Sequence, residues 1–156
     1  MIYHLDRDKK LWRSVIDKWA DRGSLVTTNG VFDIIHAGHI RMLKEASLQG
    51  KYLIIGLNSD NSIRRIKGEN RPINNEEDRA QVLLALESVD EVICFNEDTP
   101  IELIKLIKPD ILVKGGDWTI ENIVGHEFVL ENGGQVFSLP YWEGYSTSEI
   151  IEKMKK

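Results

Sequence analysis

The alternation of short apolar runs with helix-like segments is the feature that most limits the folds open to this chain. Segments with apolar residues at helical spacing separate the runs. Because right-handed crossovers place such helices on both faces of a sheet, the pattern predicts an α/β fold built on a doubly wound parallel sheet in one domain. The runs typical of strands are Leu25–Thr28, Tyr52–Leu57, Asp90–Phe95, Ile111–Val113 and Gln135–Leu139.

Helix signals fall between these runs and at both ends of the chain. A helix over about residues 9–21 precedes a core of about residues 25–153. Further helices are predicted over 38–47, 76–87, from Thr99 to before Pro109, over about 120–131, and from Ser146 onward. Thr99 would be the N-cap of its helix, with Glu102 completing a capping box. Residues 61–74 lose the periodicity and are rich in Arg and Lys, which predicts a mobile basic loop.

Composition excludes several classes of protein. A chain of 156 residues that is 42% hydrophobic can bury one ordinary core. The formal net charge of −5 argues against a nucleic-acid partner, because nucleic-acid-binding domains usually carry a basic excess. Cys94 is the one cysteine, so neither a disulfide framework nor a cysteine metal cluster is available. With no signal peptide or membrane-span pattern, we expect a cytoplasmic protein that does not bind membranes.

The stretch Thr27–His39 runs from a strand through a glycine turn into two histidines. His36 and His39 are three residues apart, so they share one face of the opening turn of the predicted helix. Free backbone N–H groups and the helix dipole favour anions there, and Gly38 leaves room for a ligand. The pattern predicts a phosphate site. Ordinary capping or surface histidines are the alternative, and without a third ligand at suitable spacing zinc is set aside.

Other polar segments follow predicted strands at the same sheet edge, where open α/β sheets bind ligands. Lys114–Asp117 follows the fourth strand, and its glycines allow close backbone approach. Ser146–Ser148 begins the last helix, where the hydroxyls either cap the helix or hold phosphate. Lys67, Arg71 and Arg79 are cations that either bind an anion or lie in solvent.

Two motifs carry a resemblance to a known family. Gly30–His39 contains His-x-Gly-His, and Glu143–Ser148 contains Ser-Thr-Ser. With Asn58–Asp60, Arg65–Gly68 and Val113–Asp117, this ordered set resembles the cytidylyltransferase-like nucleotidyltransferases. Within them it is most similar to the heptose 1-phosphate adenylyltransferase domain of ADP-heptose synthases. The resemblance covers about Leu25–Lys153 and implies a Rossmann-like sheet of the nucleotidyltransferase type.

The resemblance implies transfer of AMP from ATP, with magnesium, to a sugar 1-phosphate of the heptose type. The products would be an ADP-sugar and pyrophosphate, with no covalent enzyme intermediate. Glycerol- and choline-phosphate cytidylyltransferases carry Arg-Thr where this chain has Tyr141-Trp142, which favours ATP. A cytidylyltransferase that uses CTP and a polyol or amino-alcohol phosphate is one alternative, and a nucleotide-binding regulatory module without turnover is another.

The same resemblance assigns roles to residues. No protein side chain is predicted to ligate a metal directly. Asp117 would accept a hydrogen bond from a ribose hydroxyl or hold magnesium through a water molecule. Asp33 is predicted to orient the turn. A homodimer is an open expectation, since the apolar N-terminal helix could serve an interface or cover the sheet. Bifunctional relatives add a sugar kinase domain, for which 156 residues leave no room, so we expect a transferase that stands alone. The predicted catalytic residues are His36, His39, Lys67, Thr147 and Arg79; the acceptor-phosphate residues are Lys67, Arg71 and Arg79; the nucleotide-binding residues are Asn29, Gly30, Phe32, Gly38, Lys114, Gly115, Asp117, Ser146, Thr147 and Ser148.

Overall fold

Six parallel strands form one sheet in the computed structural model, which describes residues 1–140, 142 and 144–155. The strand order is β1-β4-β3-β2-β5-β6, and every neighbouring pair is parallel. The predicted doubly wound parallel sheet is therefore confirmed. The strands are β1 (Ile2–His4), β2 (Leu25–Gly30), β3 (Tyr52–Asn58), β4 (Glu91–Phe95), β5 (Ile111–Gly115) and β6 (Gln135–Leu139).

Helices connect the strands and cover both faces of the sheet. The predicted helix over 120–131 is interrupted: a 3-10 turn at Ile120–Asn122 precedes the helix proper. Apart from α3, the other helices lie where the spacing of apolar residues predicts them, with bounds a few residues different. The α-helices are α1 (Trp12–Ala20), α2 (Ala37–Ser47), α3 (Asp60–Lys67), α4 (Glu76–Leu84), α5 (Ile101–Ile107), α6 (His126–Glu131) and α7 (Thr147–Met154).

Two local predictions were wrong, and one strand was missed. The basic segment 61–74 was expected to be a loop, but its first part belongs to α3, whose N-cap Ser59 accepts a hydrogen bond from the Ser62 backbone N–H at 3.1 Å. The strand β1 was not expected. The capping box was not formed either: Pro100 occupies the N-cap position of α5, and no side chain caps that helix.

The core is divided between the two faces of the sheet. Helices α2 and α4 pack on one face, where Leu43 and Leu83 are fully buried. Helices α1 and α5 pack on the other, with Trp19 buried against the sheet. The N-terminal helix thus covers the domain's own sheet. Cys94 is a buried thiol whose pKa is raised to about 12, mainly by burial. Within the described ranges, no helix has the length and hydropathy needed to cross a bilayer.

The strand order reverses at β2, which lies between β3 and β5 in the sheet. The β2–β3 register continues to Gly30, whereas the β2–β5 register contains only the pairs Val26–Ile111 and Thr27–Leu112. The carboxyl ends of β2 and β5 are therefore not paired with each other. Open α/β sheets place their ligands at such a switch point.

Candidate active site

A cavity of about 630 Å³ lies at the carboxyl ends of β2 and β5. Its volume falls in the range of small-molecule and cofactor sites. Of the predicted site residues, all line this cavity except Arg79 and Asp117. The predicted residues that do line it are Asn29, Gly30, Phe32, His36, Gly38, His39, Lys67, Arg71, Lys114, Gly115, Ser146, Thr147 and Ser148.

The two histidines form a stacked pair at the start of α2. His36 is the N-cap, and its Nδ1 accepts a hydrogen bond from the His39 backbone N–H at 3.4 Å. The ring centroids lie 3.8 Å apart with an interplanar angle of 21°. Phe32 packs edge-on against His39 and has a left-handed φ of 46°, a conformation that non-glycine residues adopt mainly where the surroundings impose it. The contacts of this turn thus set the orientation of the two imidazole rings.

Burial favours the neutral form of both histidines. It lowers the pKa of His36, and together with the neighbouring His36 it lowers the pKa of His39 to about 4. Nδ1 of His39 is buried and has no hydrogen-bond partner among the described residues. A neutral imidazole can still donate one hydrogen bond, and a phosphate beside it would favour the charged form.

Residues Ser146–Ser148 begin α7 at the edge of the same cavity. Ser146 Oγ caps the helix by accepting from the Glu149 backbone N–H at 3.5 Å, so the capping interpretation holds for this residue. Thr147 Oγ1 donates to the Ile34 carbonyl at 3.3 Å, which ties α7 to the turn after β2. Glu143, which contributed to the resemblance, and Tyr141, which contributed to the preference for ATP, lie outside the described residues.

The loop after β5 is held by β6. The Gly116 N–H donates to the Leu139 carbonyl at 2.9 Å, and Ser138 Oγ donates to the Gly116 carbonyl at 2.6 Å. Lys114 lines the cavity, and burial lowers its pKa. Asp117, in contrast, is exposed and does not line the cavity, so in this geometry it is not placed to contact a ligand there.

Asp33 anchors the segment that carries Arg71. Its buried carboxylate accepts from Arg71 Nε at 2.8 Å and from the Ile73 and Asn74 backbone N–H groups at 2.9 Å. Burial alone would raise the pKa of Asp33, but the hydrogen bonds from Asn74, Ile73 and Arg71 outweigh it and hold the pKa below its usual value. These contacts agree with the orienting role predicted for Asp33.

Arg79 lies outside the cavity and is 1% exposed. Its Nε donates to the Asn74 carbonyl, and Nη1 donates to the Val31 and Asn58 carbonyls at 2.7 and 3.0 Å. Nη2 pairs with Asp60 at 2.7 Å. The prediction that Arg79 binds the acceptor phosphate finds no support in this geometry. The side chain instead joins three segments that border the cavity.

Comparison with known protein families agrees with the fold described above. A model of the cytidylyltransferase-like family matches residues 27–153, which include both histidines and Ser146–Ser148. This chain belongs to the cytidylyltransferase-like family. Individual proteins of known name are also similar to this chain in sequence. The chain is 48% identical over 147 residues to the bifunctional protein HldE of Coxiella burnetii, covering 94% of this chain and 31% of that protein.

A second sequence relative and two solved structures extend the comparison. The HldE protein of Rhodopseudomonas palustris is 51% identical over 140 residues, which cover 89% of this chain and 29% of that protein. The chain thus spans about a third of the length of these relatives. Among solved structures, the lipopolysaccharide core biosynthesis protein of Thermoplasma volcanium aligns with a TM-score of 0.62 at 30% identity, over 80% of this chain and 99% of that one. A pantoate-β-alanine ligase from Francisella tularensis, at 14% identity and a TM-score of 0.64 over 99% of this chain and 77% of that one, shares the fold.

The cavity contains polar residues to which sequence reasoning assigned no role. Asn58 ends β3 and Asp98 follows β4, at the same sheet edge as the predicted loops, and that position was the available signal. Trp142 and Tyr145 also line the cavity. Their position depends on contacts with α2, which the local sequence does not encode.

The carboxylates described in this cavity are already engaged by protein partners. Of the cavity carboxylates, Asp33 is occupied by three hydrogen-bond donors and Asp98 is paired with Arg65 at 2.8 Å. Across the described ranges, no three His, Cys, Asp or Glu side chains lie together as a metal-binding group would require. Mg²⁺ retains water readily and is often held through substrate phosphates rather than by a cluster of protein side chains.

Proposed function

We propose that this chain transfers AMP from ATP to a heptose 1-phosphate and releases pyrophosphate. The observation that carries the proposal is the meeting of the histidine pair, the start of α7 and the cations Lys67 and Arg71 around one cavity. The substrate assignment rests on the motifs, which resemble those of ADP-heptose synthases. The matches to HldE proteins over 89–94% of this chain support it.

The transfer requires alignment and charge stabilisation more than proton abstraction. An oxygen of the sugar phosphate attacks the α-phosphorus, and a new P–O bond forms as the bond to the bridging oxygen breaks. The electron pair leaves with pyrophosphate. Because the attacking oxygen is already anionic, no general base is needed at this step.

The described residues suit these tasks. His36 and His39 would donate to the triphosphate and to the charge that develops in the transition state. The N–H groups at the start of α7, with the hydroxyls of Thr147 and Ser148, would hold the β- and γ-phosphates. Asn29, Gly30 and Gly115 would line the nucleoside side, and Lys67 and Arg71 would bind the acceptor phosphate.

A substrate matrix tests the proposal. Each nucleoside triphosphate, with magnesium, is offered with heptose 1-phosphate, glycerol 3-phosphate and choline phosphate, and pyrophosphate release is measured. The expected result is turnover with ATP and the sugar 1-phosphate. Faster turnover with CTP would reject adenylyl transfer, and nucleotide binding without turnover of any pair would indicate a regulatory module.

The role of the histidines is tested separately. The His39→Ala enzyme should lose pyrophosphate release by about a hundredfold or more, as removal of one transition-state donor typically does. Unchanged release would refute the catalytic role of the pair. A histidine away from the cavity, His126, serves as the control, and His126→Ala should retain activity.

Three further properties belong to the same proposal. Magnesium enters with ATP, so chelation by EDTA should abolish turnover. A homodimer in the cytoplasm is the proposed working form. Sedimentation at micromolar concentration distinguishes the dimer from a monomer.

A further inference from the structure

A column of stacked groups runs from the half-buried histidine pair to the surface. Tyr145 lies 6.2 Å from His36 with an interplanar angle of 23°. The guanidinium of Arg41, on α2, lies 5.6 Å from the Tyr145 ring and 4.7 Å from the Trp142 ring. Arg41 therefore contacts two aromatic rings of the segment that leads into α7.

The column fits closely against the first turn of α2. A Cβ atom built on Gly38 would lie 2.8 Å from Tyr145 Cβ and 3.0 Å from His36 Nδ1, closer than side chains normally pack. Gly38 thus permits Tyr145 to contact the helix directly. One hydrogen bond, from Thr147 Oγ1 to the Ile34 carbonyl, adds a second point of attachment.

Helix α7 lacks the usual anchor of a surface helix. None of its described residues is fully buried, and Ile150 and Ile151 are only half-buried, so core packing holds this helix weakly. The contacts with α2 and with the turn after β2 therefore carry more of this task. Ser146–Ser148 follow Tyr145 directly in the chain, so the placement of the column determines where these residues lie.

We propose that Arg41 is a positioning residue for the triphosphate-binding segment Ser146–Ser148. Its guanidinium attaches Trp142 and Tyr145 to α2 and thereby holds the start of α7 beside the histidine pair. The inference rests on the proposed function, because it takes Ser146–Ser148 to bind the β- and γ-phosphates. Arg41 itself does not line the cavity.

Calorimetric binding of inorganic tripolyphosphate, ATP and adenosine tests the proposal with the full chain. Arg41→Met should weaken binding of tripolyphosphate and ATP by about two- to thirtyfold at most, the range expected for the loss of one or two cation–π contacts. Adenosine affinity should not change, because it lacks the phosphates that the segment holds. In turnover assays, the KM for ATP should rise while the KM for the acceptor stays the same.

Arg22 provides a matched control. It lies 5.4 Å from the Tyr52 ring and is exposed, like Arg41, but neither residue of that pair lines the cavity. Arg22→Met should leave all three affinities unchanged. Arg41→Lys retains the charge but loses the planar stacking group, so it should recover only part of the affinity.

Several outcomes would overturn the proposal. Tripolyphosphate affinity that is the same in Arg41→Met and Arg22→Met would do so. An equal loss of adenosine affinity, or full recovery in Arg41→Lys, would replace positioning with a role in the base site or with simple charge attraction. Trp142→Leu, which removes one ring and leaves Arg41, should reproduce the phosphate-specific loss; if it does not, the column does not position the segment.

The two proposals fail in distinguishable ways. Normal adenylyl transfer with unchanged tripolyphosphate binding in Arg41→Met would refute only the role of Arg41. A phosphate-specific loss in a protein that turns over no substrate pair would refute only the proposed function. If the wild-type protein binds no tripolyphosphate, the phosphate cradle itself is refuted and both fail.

Discussion

The imidazole rings of His36 and His39 lie stacked, with their centroids 3.8 Å apart, in a site where burial favours their neutral forms. Stacking of two charged rings would be repulsive, so the ligand-free pair is stable as two neutral bases. A triphosphate changes that balance because its negative charge favours protonated imidazole. The pair therefore links both stability and ligand binding to pH.

The first prediction concerns stability. The pKa of His39 falls from 6.5 in the unfolded chain to about 4 in the fold. As pH falls from 6.5 toward 4, the unfolded chain takes up a proton that the folded chain does not. This site should therefore lower the free energy of unfolding by up to about 1.4 kcal/mol per pH unit. Urea unfolding between pH 7 and 4 should give a flatter profile for His39→Asn than for the wild type.

The control for this experiment is a histidine elsewhere in the chain. His126→Asn should retain the wild-type pH profile, because His126 lies outside the cavity. Asp33, whose pKa is lowered from 3.8, loses most of its contribution below the window measured, and to the same extent in each of these histidine variants. Identical slopes in the wild type and His39→Asn would show that His39 titrates normally in the fold.

The second prediction concerns ATP binding. Since the triphosphate favours protonated histidine, binding near pH 6.5 should take up protons, and affinity should rise as pH falls from 8 to 6. Calorimetry in buffers of different ionisation enthalpy measures the uptake. Proton uptake by the nucleotide itself is the same with every variant. Proton uptake is expected to be smaller for His39→Asn than for the wild type, and this difference therefore measures the contribution of His39. Equal uptake in the two proteins would remove His39 from the triphosphate site.

Local sequence predicted the sheet and most of the cavity because both depend on short-range patterns. Apolar runs define the strands, and the polar residues after β2 and β5 necessarily meet at one edge. Helix α3 was missed because its Ser62 and Ile63 provide its only buried positions, leaving little apolar periodicity. The strand β1 is three residues long, and its partner β4 begins almost ninety residues later.

The function of individual cations depends on distant backbone and could not be predicted locally. Arg79 and Arg71 are both single basic residues near the same stretch of sequence. The buried Arg79 side chain donates hydrogen bonds to the carbonyls of Val31, Asn58 and Asn74 and so holds three segments together. Only the fold brings these three carbonyls together. Asp117 was likewise predicted to contact the ligand, but its side chain is exposed and does not line the cavity.

The third prediction concerns the buried Asp33–Arg71 pair. Asp33→Asn should lower the free energy of unfolding by about 3–5 kcal/mol, because a charge with a buried partner is removed while its three donors remain. Urea unfolding at pH 7 measures the change. Glu102→Gln breaks the exposed pair with Lys105 and should cost less than about 1 kcal/mol. A similar small cost for Asp33→Asn would contradict an anchoring role.

The fourth prediction is that Arg71 binds the acceptor phosphate. Its Nε is bound to Asp33, and the guanidinium lines the cavity. Arg71→Lys loses the planar fork that suits phosphate, so the KM for the sugar 1-phosphate should rise about tenfold while the KM for ATP changes little. Steady-state kinetics with each substrate varied in turn provide the test. A rise confined to the KM for ATP would instead place Arg71 on the nucleotide.

The fifth prediction separates Arg79 from Arg71. Arg79→Met leaves Asp60 without its partner and three carbonyls without a donor, so the free energy of unfolding should fall by about 3–5 kcal/mol. Arg79→Lys should recover little, because an ammonium cannot reach the same set of acceptors with fixed geometry. Urea unfolding measures stability, and kinetics at 10 °C measure both KM values in the folded fraction. An unchanged stability with a rise only in the acceptor KM would restore the direct phosphate contact that the sequence suggested.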